Sequence, residues 1–261
     1  MKITDDQKDF FETFGFLVLR QLLTTDEVAT MQRESDEIMT EARDGKPFDG
    51  QTRQAVQPFF ERRPFLQSLI ADPRILAIAE GLLGPDIFME VTEGNLHIGD
   101  TAWHGGSGEL EILPMVKIGF YLEPLTRETG ALRFIPGSHK GEFSERLKRI
   151  GDRIDDPDAK VWGVSPNEVP SYAVESNPGD VVAFKEDTYH GAWGGRDGRH
   201  QHAINYAQIP KTEEQMALVR EFHERMTYSF HPVVQNLEHE NPRIRELQQP
   251  MVDWGFETQS V

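Results

Sequence analysis

The sequence predicts a mainly β protein, an antiparallel barrel or double sheet, with helices packed around it at the amino terminus. Apolar residues follow a helical spacing in the first third of the chain, and from Ile87 onward they occur in short runs divided by polar turns. Short strands joined by turns favour antiparallel pairing over a βαβ array. The 261 residues suffice for one large core. We therefore expect one domain over 1–261, with helices over about 1–84 and the β core over about 85–210.

Three helices are predicted before the β core. Thr4–Gln7 and Thr24–Glu27 have the composition of capping boxes, in which the first and fourth side chains bond free amides of the first helical turn. The first helix is predicted to end at Gly15, and the apolar run Phe16–Leu19 has the length of a strand. A third helix is predicted over Pro64–Leu83, where leucine and isoleucine recur at helical spacing.

Turn residues divide the rest of the chain into short strands. Pro-Gly pairs at 136–137 and 178–179 mark two of the turns. The insert Glu142–Pro170 is polar and rich in aspartate, so we interpret it as a lid or a surface excursion. The tail Thr212–Val261 is predicted to be helical at first and then irregular. The predicted strands are Ile87–Thr92, Asn95–Ile98, Met115–Leu122, Ala131–Ile135, Tyr172–Val174, Asp180–Phe184 and His202–Gln208.

Charge and composition exclude several classes of function. The 44 acidic and 27 basic residues give a net charge of −17. This charge repels polyphosphate, so we expect neither nucleic acid polymers nor a membrane as partners. The absence of cysteine excludes disulfides and thiolate ligands, and leaves histidine and carboxylates to hold a metal. The sequence shows neither a signal peptide nor an apolar run of about 18 residues, so we expect a cytoplasmic protein.

Two of the nine histidines have a sequence context that suggests a function. His104 lies in the segment TAWHGG, just after a strand, and His190 lies in DTYHGAWGG, after the strand Asp180–Phe184. Glycines flank both histidines, and glycine allows the close backbone approach that a crowded site requires. An isolated histidine is more often structural, so these two are the candidates for metal binding and catalysis.

Sequence blocks in a fixed order carry a resemblance to a known family. The blocks are Phe11–Leu19, Trp103-His104, Thr129–Lys140 (TGALRFIPGSHK) and Asn177–Phe184 (NPGDVVAF), followed by His190 and Tyr206. Together they resemble the phytanoyl-CoA dioxygenase-like iron(II)/2-oxoglutarate enzymes. The resemblance implies a double-stranded β-helix, a cupin-like jelly roll, which agrees with the β pattern. It also assigns His139 to a structural block rather than to the metal site.

The resemblance implies how a metal would be held. In this family a His-x-Asp/Glu pair and a distant histidine bind Fe(II) and leave open positions for 2-oxoglutarate and O₂. On this chain the implied iron ligands are His104 and His190. The position of the carboxylate, two residues after His104, is occupied by Gly106. The chain therefore departs from the family pattern at one iron ligand, and Gly106 decides which reaction is expected.

Three interpretations of Gly106 remain open. The first is a halogenase, because iron/2-oxoglutarate halogenases have Ala or Gly at this position and chloride takes the place of the carboxylate. The second takes the third ligand from elsewhere, and Glu109 and Glu111 are near in sequence. The third is lost or weakened iron binding, as in a non-catalytic jelly-roll binding protein or an engineered hydroxylase. We favour chlorination of an unactivated C–H bond, with hydroxylation as the alternative.

The co-substrate 2-oxoglutarate needs a cation for its distal carboxylate, usually an arginine. The family places this arginine on the strand that follows the second histidine, and Arg199 lies nine residues after His190. Alternation along a strand puts residues 199, 201, 203 and 205 on one face. We therefore expect Arg199 to bind 2-oxoglutarate, with Gln201 beside it and Asn205 farther along the same cavity.

The strand after His104 places a lysine on an inward face. Lys117 alternates with Gly119 and Tyr121 along Met115–Leu122. Two interpretations are balanced: the Lys117 amine contacts 2-oxoglutarate or an acidic substrate group, or it reaches water past the barrel wall. The side chains expected to form an aromatic wall around the substrate are His97, Trp103, Tyr121 and Trp193.

The expected partner is a free small molecule. Members of the family act on acyl thioesters, amino acids, alkaloids and other small metabolites, and nothing in the sequence selects one of these. A substrate tethered to a carrier protein is not expected, because carrier proteins are usually acidic and like charges disfavour the encounter.

Overall fold

The computed structural model describes residues 1–151, 160–225 and 230–261. Within these ranges most of the helices lie in the amino-terminal third and the carboxy-terminal tail, and most of the strands lie between them. The helices are α1 Asp5–Phe14, α2 Thr25–Glu41, α3 Pro64–Leu69, α4 Pro73–Leu83, α5 Glu109–Ile112, α6 Gly141–Gly151, α7 Glu213–Arg225, α8 Val234–Leu237 and α9 Pro242–Asp253. The strands are β1 Phe16–Leu19, β2 Gln54–Val56, β3 Ile87–His97, β4 Thr101–His104, β5 Met115–Phe120, β6 Leu132–Phe134, β7 Tyr172–Val174, β8 Val181–Phe184, β9 His190–Ala192 and β10 Arg199–Gln208.

The strands form two antiparallel sheets. The larger sheet has the order β1-β8-β5-β10-β3-β2, and the smaller has the order β4-β9-β6-β7. Stacked rings of Phe16 and Phe134, with centroids 4.6 Å apart, join an edge of one sheet to the other. The architecture is a jelly roll with flanking helices, as the sequence predicts.

Both predicted capping boxes are confirmed. The Thr4 hydroxyl accepts from the Gln7 amide at 3.2 Å, and the Gln7 side chain accepts from the Thr4 amide at 3.0 Å. Thr24 and Glu27 repeat this arrangement at the start of α2. Helix α1 ends at Gly15, whose φ of +87° suits glycine. These two helices are therefore specified by residues close together in sequence.

The prediction of one helix over Pro64–Leu83 is wrong, because the structure has two helices there. Helix α3 ends at Leu69, and α4 begins at Pro73, which has no amide hydrogen to continue a helical ladder. The Asp72 side chain accepts from the Arg74 amide at 2.8 Å and caps α4. A proline at the first position of a helix is a start signal that outweighs the apolar spacing.

The predicted strands differ from the observed strands at several boundaries. The two runs Ile87–Thr92 and Asn95–Ile98 form the single strand β3, which continues through Gly94. A Cβ at Gly94 would lie 2.2 Å from the Phe59 ring, so glycine is needed there for packing and not for a turn. The sequence does not predict β2, β4 or β9, because QAV, TAWH and HGA form no apolar run such as those of β1 and β8.

Separate apolar cores support the two sheets. The largest cluster joins the outer face of the larger sheet to α2, α3 and α4. A second cluster, which contains Leu147 and Ile150 of α6, covers the outer face of the smaller sheet around Trp103 and Tyr189. The strands that carry His104 and His190 are thus backed by a packed layer, which restricts their movement.

The predicted insert and tail lie only partly within the described residues. The insert Glu142–Pro170 contains most of α6 and a short 3₁₀ turn at Pro166–Glu168, and its residues 152–159 lie outside the described ranges. The tail Thr212–Val261 contains α7, α8 and α9, with 226–229 outside those ranges. Among the described residues, no helix has the length and apolar character needed to cross a membrane.

Candidate active site

The two candidate metal ligands are direct partners across the smaller sheet. His104 is the last residue of β4 and His190 is the first residue of β9, and the two are opposite each other in the antiparallel register. Their ring centroids are 4.0 Å apart. The sequence places them 86 residues apart, so strand pairing alone produces this pair, and one metal ion can contact both rings.

Backbone carbonyl groups fix the orientation of both imidazole rings. The His104 Nδ1 donates to the Ala102 carbonyl at 2.9 Å, and the His190 Nδ1 donates to the Thr188 carbonyl at 2.7 Å. Burial lowers the pKa of both histidines below the usual range, and for His190 the proximity of His104 lowers it further. Both rings are therefore neutral, with the proton on Nδ1 and the Nε2 lone pair available to a metal.

Gly106 lies in the loop after β4, against the ring of Tyr189. Its φ is +71°, and its amide donates to the Asp187 carbonyl at 2.9 Å. A Cβ at Gly106 would lie 2.5 Å from Cε2 of Tyr189, whose ring belongs to the apolar cluster outside the smaller sheet. A side chain at this position would therefore overlap the Tyr189 ring.

Acidic residues near Gly106 have other partners. Glu109 pairs with Arg225, with 3.1 Å between Oε1 and Nη1. Across the described parts of the chain, no group of three or more His, Asp or Glu side chains could hold a metal ion. The interpretation in which Glu109 replaces the missing ligand therefore has no support in the geometry.

A cavity of about 320 Å³ opens from the histidine pair into the space between the sheets. Its lining brings together several side chains that the sequence selects for the site. These are His97, His104, Lys117, Tyr121, His190, Arg199 and Gln201. The alternation predicted for β10 holds at Arg199 and Gln201, which both face the cavity.

One end of the cavity has unpaired donors suited to an anion. Arg199 is 3% exposed, and its Nε and Nη2 have no hydrogen-bond partner in the structure. The buried Tyr121 hydroxyl also has no partner within the described parts of the chain. Buried donors are normally paired, so both groups are suited to a ligand carboxylate. These residues fit 2-oxoglutarate: the histidine pair can hold iron, and Arg199 with Tyr121 can hold the distal carboxylate.

Lys117 forms ion pairs with two carboxylates. Its amine contacts Glu93 and lies 2.8 Å from the Glu186 carboxylate. Burial alone would lower the pKa of Lys117, but Glu186 and Glu93 raise it above its usual value. The amine therefore does not extend into open water, and because Lys117 also lines the cavity, its contact with 2-oxoglutarate or an acidic substrate group stays a prediction.

The expected aromatic wall is only partly present at the cavity. His97 and Tyr121 line it. Trp103 and Trp193 instead pack on each other, with ring centroids 4.6 Å apart, in the cluster beneath α6. Asn205 is buried beside β5, opposite Lys117, and not at the cavity surface. A tryptophan next to a site residue in sequence faces the opposite side of the strand, and this is why the two tryptophans expected at the cavity lie outside it.

Arg53, Glu93 and Asn95 surround the same cavity, and the sequence does not select them. Arg53 and Glu93 line the cavity, and Asn95 accepts a hydrogen bond from Arg53 and donates to Glu93 and Gln201. The alternation of Glu93, Asn95 and His97 along one strand face is the signal that could have identified two of them. Arg53 lies in a polar segment before β2, with no local pattern to mark it.

Comparison with known proteins agrees with this fold. The sequence profile of the phytanoyl-CoA dioxygenase (PhyH) family matches residues 11–200. Ectoine dioxygenase of Bordetella parapertussis is 24% identical over 223 residues, which cover 73% of this chain and 70% of that protein. Ectoine dioxygenase of Streptomyces coelicolor is 27% identical over 144 residues, which cover 48% of each.

Solved structures share the architecture at low sequence identity. HygX from Streptomyces hygroscopicus, with nickel and 2-oxoglutarate bound, has a TM-score of 0.65 and 23% identity over 82% of this chain and 90% of that chain. EctD from S. alaskensis, with bound Fe, has a TM-score of 0.60 and 21% identity over 79% of this chain and 77% of that chain.

The jelly roll, the cross-strand histidine pair and the buried arginine define an iron- and 2-oxoglutarate-dependent oxygenase. Since the family profile covers well over half of its length, the chain belongs to the phytanoyl-CoA dioxygenase (PhyH) family.

Proposed function

We propose that this enzyme attaches a halide, with chloride as the first candidate, to an unactivated C–H carbon of a small molecule. The composition of the metal site carries the proposal. His104 and His190 offer two neutral Nε2 atoms. No carboxylate of the described residues joins them in a group that could hold a metal. A site with two protein ligands leaves one more coordination position open than a two-histidine, one-carboxylate site does.

The chain's own residues have separate tasks at the two ends of the cavity. His104 and His190 would hold Fe(II), while Arg199 and Tyr121 would hold and orient 2-oxoglutarate by its distal carboxylate. When bound, iron with 2-oxoglutarate and O₂ supplies the oxidant that removes hydrogen from a C–H bond. The apolar side chains of Leu132 and Phe184 line the space between these ends and limit the entry of water.

An anion is the group that this metal site lacks. Two neutral imidazoles compensate none of the positive charge of Fe(II), and in the two-histidine, one-carboxylate arrangement the third protein ligand supplies one negative charge. Gly106 contributes no side chain, and its amide is already bonded to Asp187. A monatomic halide can supply the charge without needing a chain segment to carry it, and this supports halide over a displaced protein ligand.

The test is the halide dependence of the loaded site without oxygen. Fe(II) and 2-oxoglutarate should give the visible charge-transfer band of the chelated keto acid, and chloride should tighten 2-oxoglutarate binding relative to gluconate at equal ionic strength. Bromide should act like chloride and give anomalous scattering next to the iron and the two Nε2 atoms. His190→Ala is the matched control and should give no band, because it removes one of only two protein ligands.

The hydroxylase alternative predicts a different result. Equal 2-oxoglutarate binding in chloride and gluconate, with no anomalous bromide signal at the iron, would contradict the halogenase proposal. In turnover with O₂, mass spectrometry separates the two reactions, because one product gains chlorine in place of hydrogen and the other gains oxygen. Loss of the band in the wild-type protein would count against iron and 2-oxoglutarate chemistry as a whole.

A further inference from the structure

A buried amide organises the polar residues at the mouth of the cavity. Asn95 of β3 is fully buried. Its Oδ1 accepts from Arg53 Nε at 3.1 Å and from Arg53 Nη2 at 2.6 Å. Its Nδ2 donates to Glu93 Oε2 at 3.1 Å and to Gln201 Oε1 at 2.9 Å. Both lone pairs and both amide hydrogens of Asn95 are used, so this side chain holds Arg53 and Gln201 in fixed positions.

Arg53 retains hydrogen-bonding capacity toward the cavity. It lies just before β2, at the edge of the larger sheet, and its side chain lines the cavity while remaining 49% exposed. Asn95 engages one edge of the guanidinium. Among the described residues Nη1 has no hydrogen-bond partner, and the nearest carboxylate oxygen, on Glu93, is 4.0 Å from Nη2. The guanidinium is thus oriented by the protein and open to a ligand.

Gln201 adds a second donor on the same side of the cavity. Its Oε1 accepts from Asn95 and lies 3.5 Å from Nε2 of His97. The amide Nε2 of Gln201 has no partner among the described residues. Arg53 and Gln201 are bonded to the two ends of one carboxamide, so their free donors are held close together. A pair of adjacent donors, one of them charged, matches the two oxygens of a carboxylate.

The other charged groups at the cavity are already assigned. Lys117 is neutralised by Glu93 and Glu186. Arg199, two residues before Gln201 on β10, is the candidate for the distal carboxylate of 2-oxoglutarate. Burial lowers the pKa of His97 to about 4, with Arg53 and Arg199 contributing, so this ring is neutral near pH 7. Of the cations among the described residues that line the cavity, Arg53 is the one left for the substrate.

We infer that the substrate is a small carboxylic acid whose carboxylate binds Arg53 and Gln201 at the cavity mouth. The rest of the molecule extends toward His104 and His190, which places a C–H bond of its chain or ring at the metal. This inference rests on the proposed function, because it gives Arg199 to the co-substrate. The cavity of about 320 Å³ must hold both molecules and is near the lower limit of ligand sites, which excludes a bulky substrate.

Matched acids and amides test the carboxylate site. The probes are hexanoate with hexanamide, benzoate with benzamide, and phenylacetate with phenylacetamide. They are titrated into protein loaded anaerobically with Fe(II) and 2-oxoglutarate in sodium chloride, which adds no competing carboxylate, and binding is followed by calorimetry and by the visible band. At least one acid should bind about tenfold more tightly than its amide, because the amide has lost the charge that Arg53 recognises.

Variants at Arg53 separate substrate binding from folding and from co-substrate binding. Arg53→Gln should remove the preference for the acid and leave the dissociation constant of 2-oxoglutarate unchanged. Arg53→Lys should retain part of the preference, since it keeps the charge but loses the planar fork. Arg146→Gln, which removes a 77% exposed arginine of α6, is the matched control and should behave as the wild type does.

Two results would overturn the inference. One is the absence of any preference for an acid over its amide across the panel. The other is weaker 2-oxoglutarate binding in Arg53→Gln without an effect on the acids, which would assign Arg53 to the co-substrate. The same acid and amide pairs titrated into metal-free protein report on Arg53 even if iron binding fails. Failure of the carboxylate site is therefore distinguishable from failure of the proposed function.

Discussion

Gly106 has a backbone conformation that few other residues adopt, and it also lies against a buried ring. At φ +71° an L-residue is strained, and a Cβ would overlap the Tyr189 ring. We expect Gly106→Ala to lower the free energy of unfolding by about 1–3 kcal/mol, measured by urea denaturation. Gly108→Ala is the control, since Gly108 has φ +79° with no atom within 4 Å of its Cβ position. An equal loss of unfolding free energy in the two variants would contradict the explanation that the Gly106 substitution overlaps the Tyr189 ring.

The same geometry changes what an acidic substitution at Gly106 can achieve. A carboxylate introduced there would begin from a Cβ that overlaps the Tyr189 ring. The family pattern identifies the position by counting two residues from His104, and the count is correct in sequence. The count does not predict where a side chain at this position would point, because two successive glycines with positive φ turn the loop.

Arg199 supplies the test of co-substrate binding. Replacing Arg199 with glutamine removes the positive charge from its buried ion pair with the 2-oxoglutarate carboxylate. The loss in binding free energy is about 2 kcal/mol. We therefore expect Arg199→Gln to raise the 2-oxoglutarate concentration at half-saturation by about 30-fold, measured by the anaerobic visible band. Arg196→Gln should leave it unchanged, since Arg196 is 69% exposed and pairs with Glu123. A large effect at Arg196 and none at Arg199 would reverse the assignment.

At the scale of elements, His200 attaches strand β10 to helix α2. Its Nδ1 lies 2.6 Å from Glu123, and its Nε2 lies 3.2 Å from Asp36 of α2. Burial alone would lower the pKa of His200, but the hydrogen bond and charge of Glu123, together with Asp36, raise it above the usual value for histidine. Protonated His200 is therefore favoured by the folded state.

This arrangement gives a pH dependence with a definite sign. Because the pKa of His200 is higher in the folded state, its contribution to stability is complete below the unfolded value and is lost as pH rises through the folded value. The difference in melting temperature between wild type and His200→Gln should be largest near pH 6 and should shrink toward pH 9. A difference that grows with pH would contradict the ion pairs with Glu123 and Asp36.

The elements that the sequence predicts well are those fixed by neighbours in sequence. Helices α1 and α2 begin at capping boxes, whose bonds span three residues. The alternation of β10 likewise identifies Arg199 and Gln201 as cavity residues. The network around Asn95 arises from pairing between β2, β3 and β10, which are far apart along the chain. No local pattern encodes such contacts, so Arg53 could not be predicted from sequence.

At the scale of the whole molecule, the net charge of −17 acts against the compact state. Self-repulsion among surface carboxylates is screened by salt, with a Debye length near 10 Å at 0.1 M. We expect the melting temperature to rise by about 2–4 °C between low and moderate ionic strength. Sodium gluconate should act as sodium chloride does on the metal-free protein. A chloride-specific rise without metal would point to halide binding elsewhere on the molecule.

The histidine pair and the buried arginine belong to different sheets. His104 and His190 lie on β4 and β9 of the smaller sheet, and Arg199 lies on β10 of the larger one. A 2-oxoglutarate molecule bound at both ends would act as a removable cross-link between the two halves of the sandwich. Amide hydrogen exchange should then slow in β4 and β9 when metal is added alone. Exchange should slow in all three strands together, as one cooperative unit, only when 2-oxoglutarate completes the bridge.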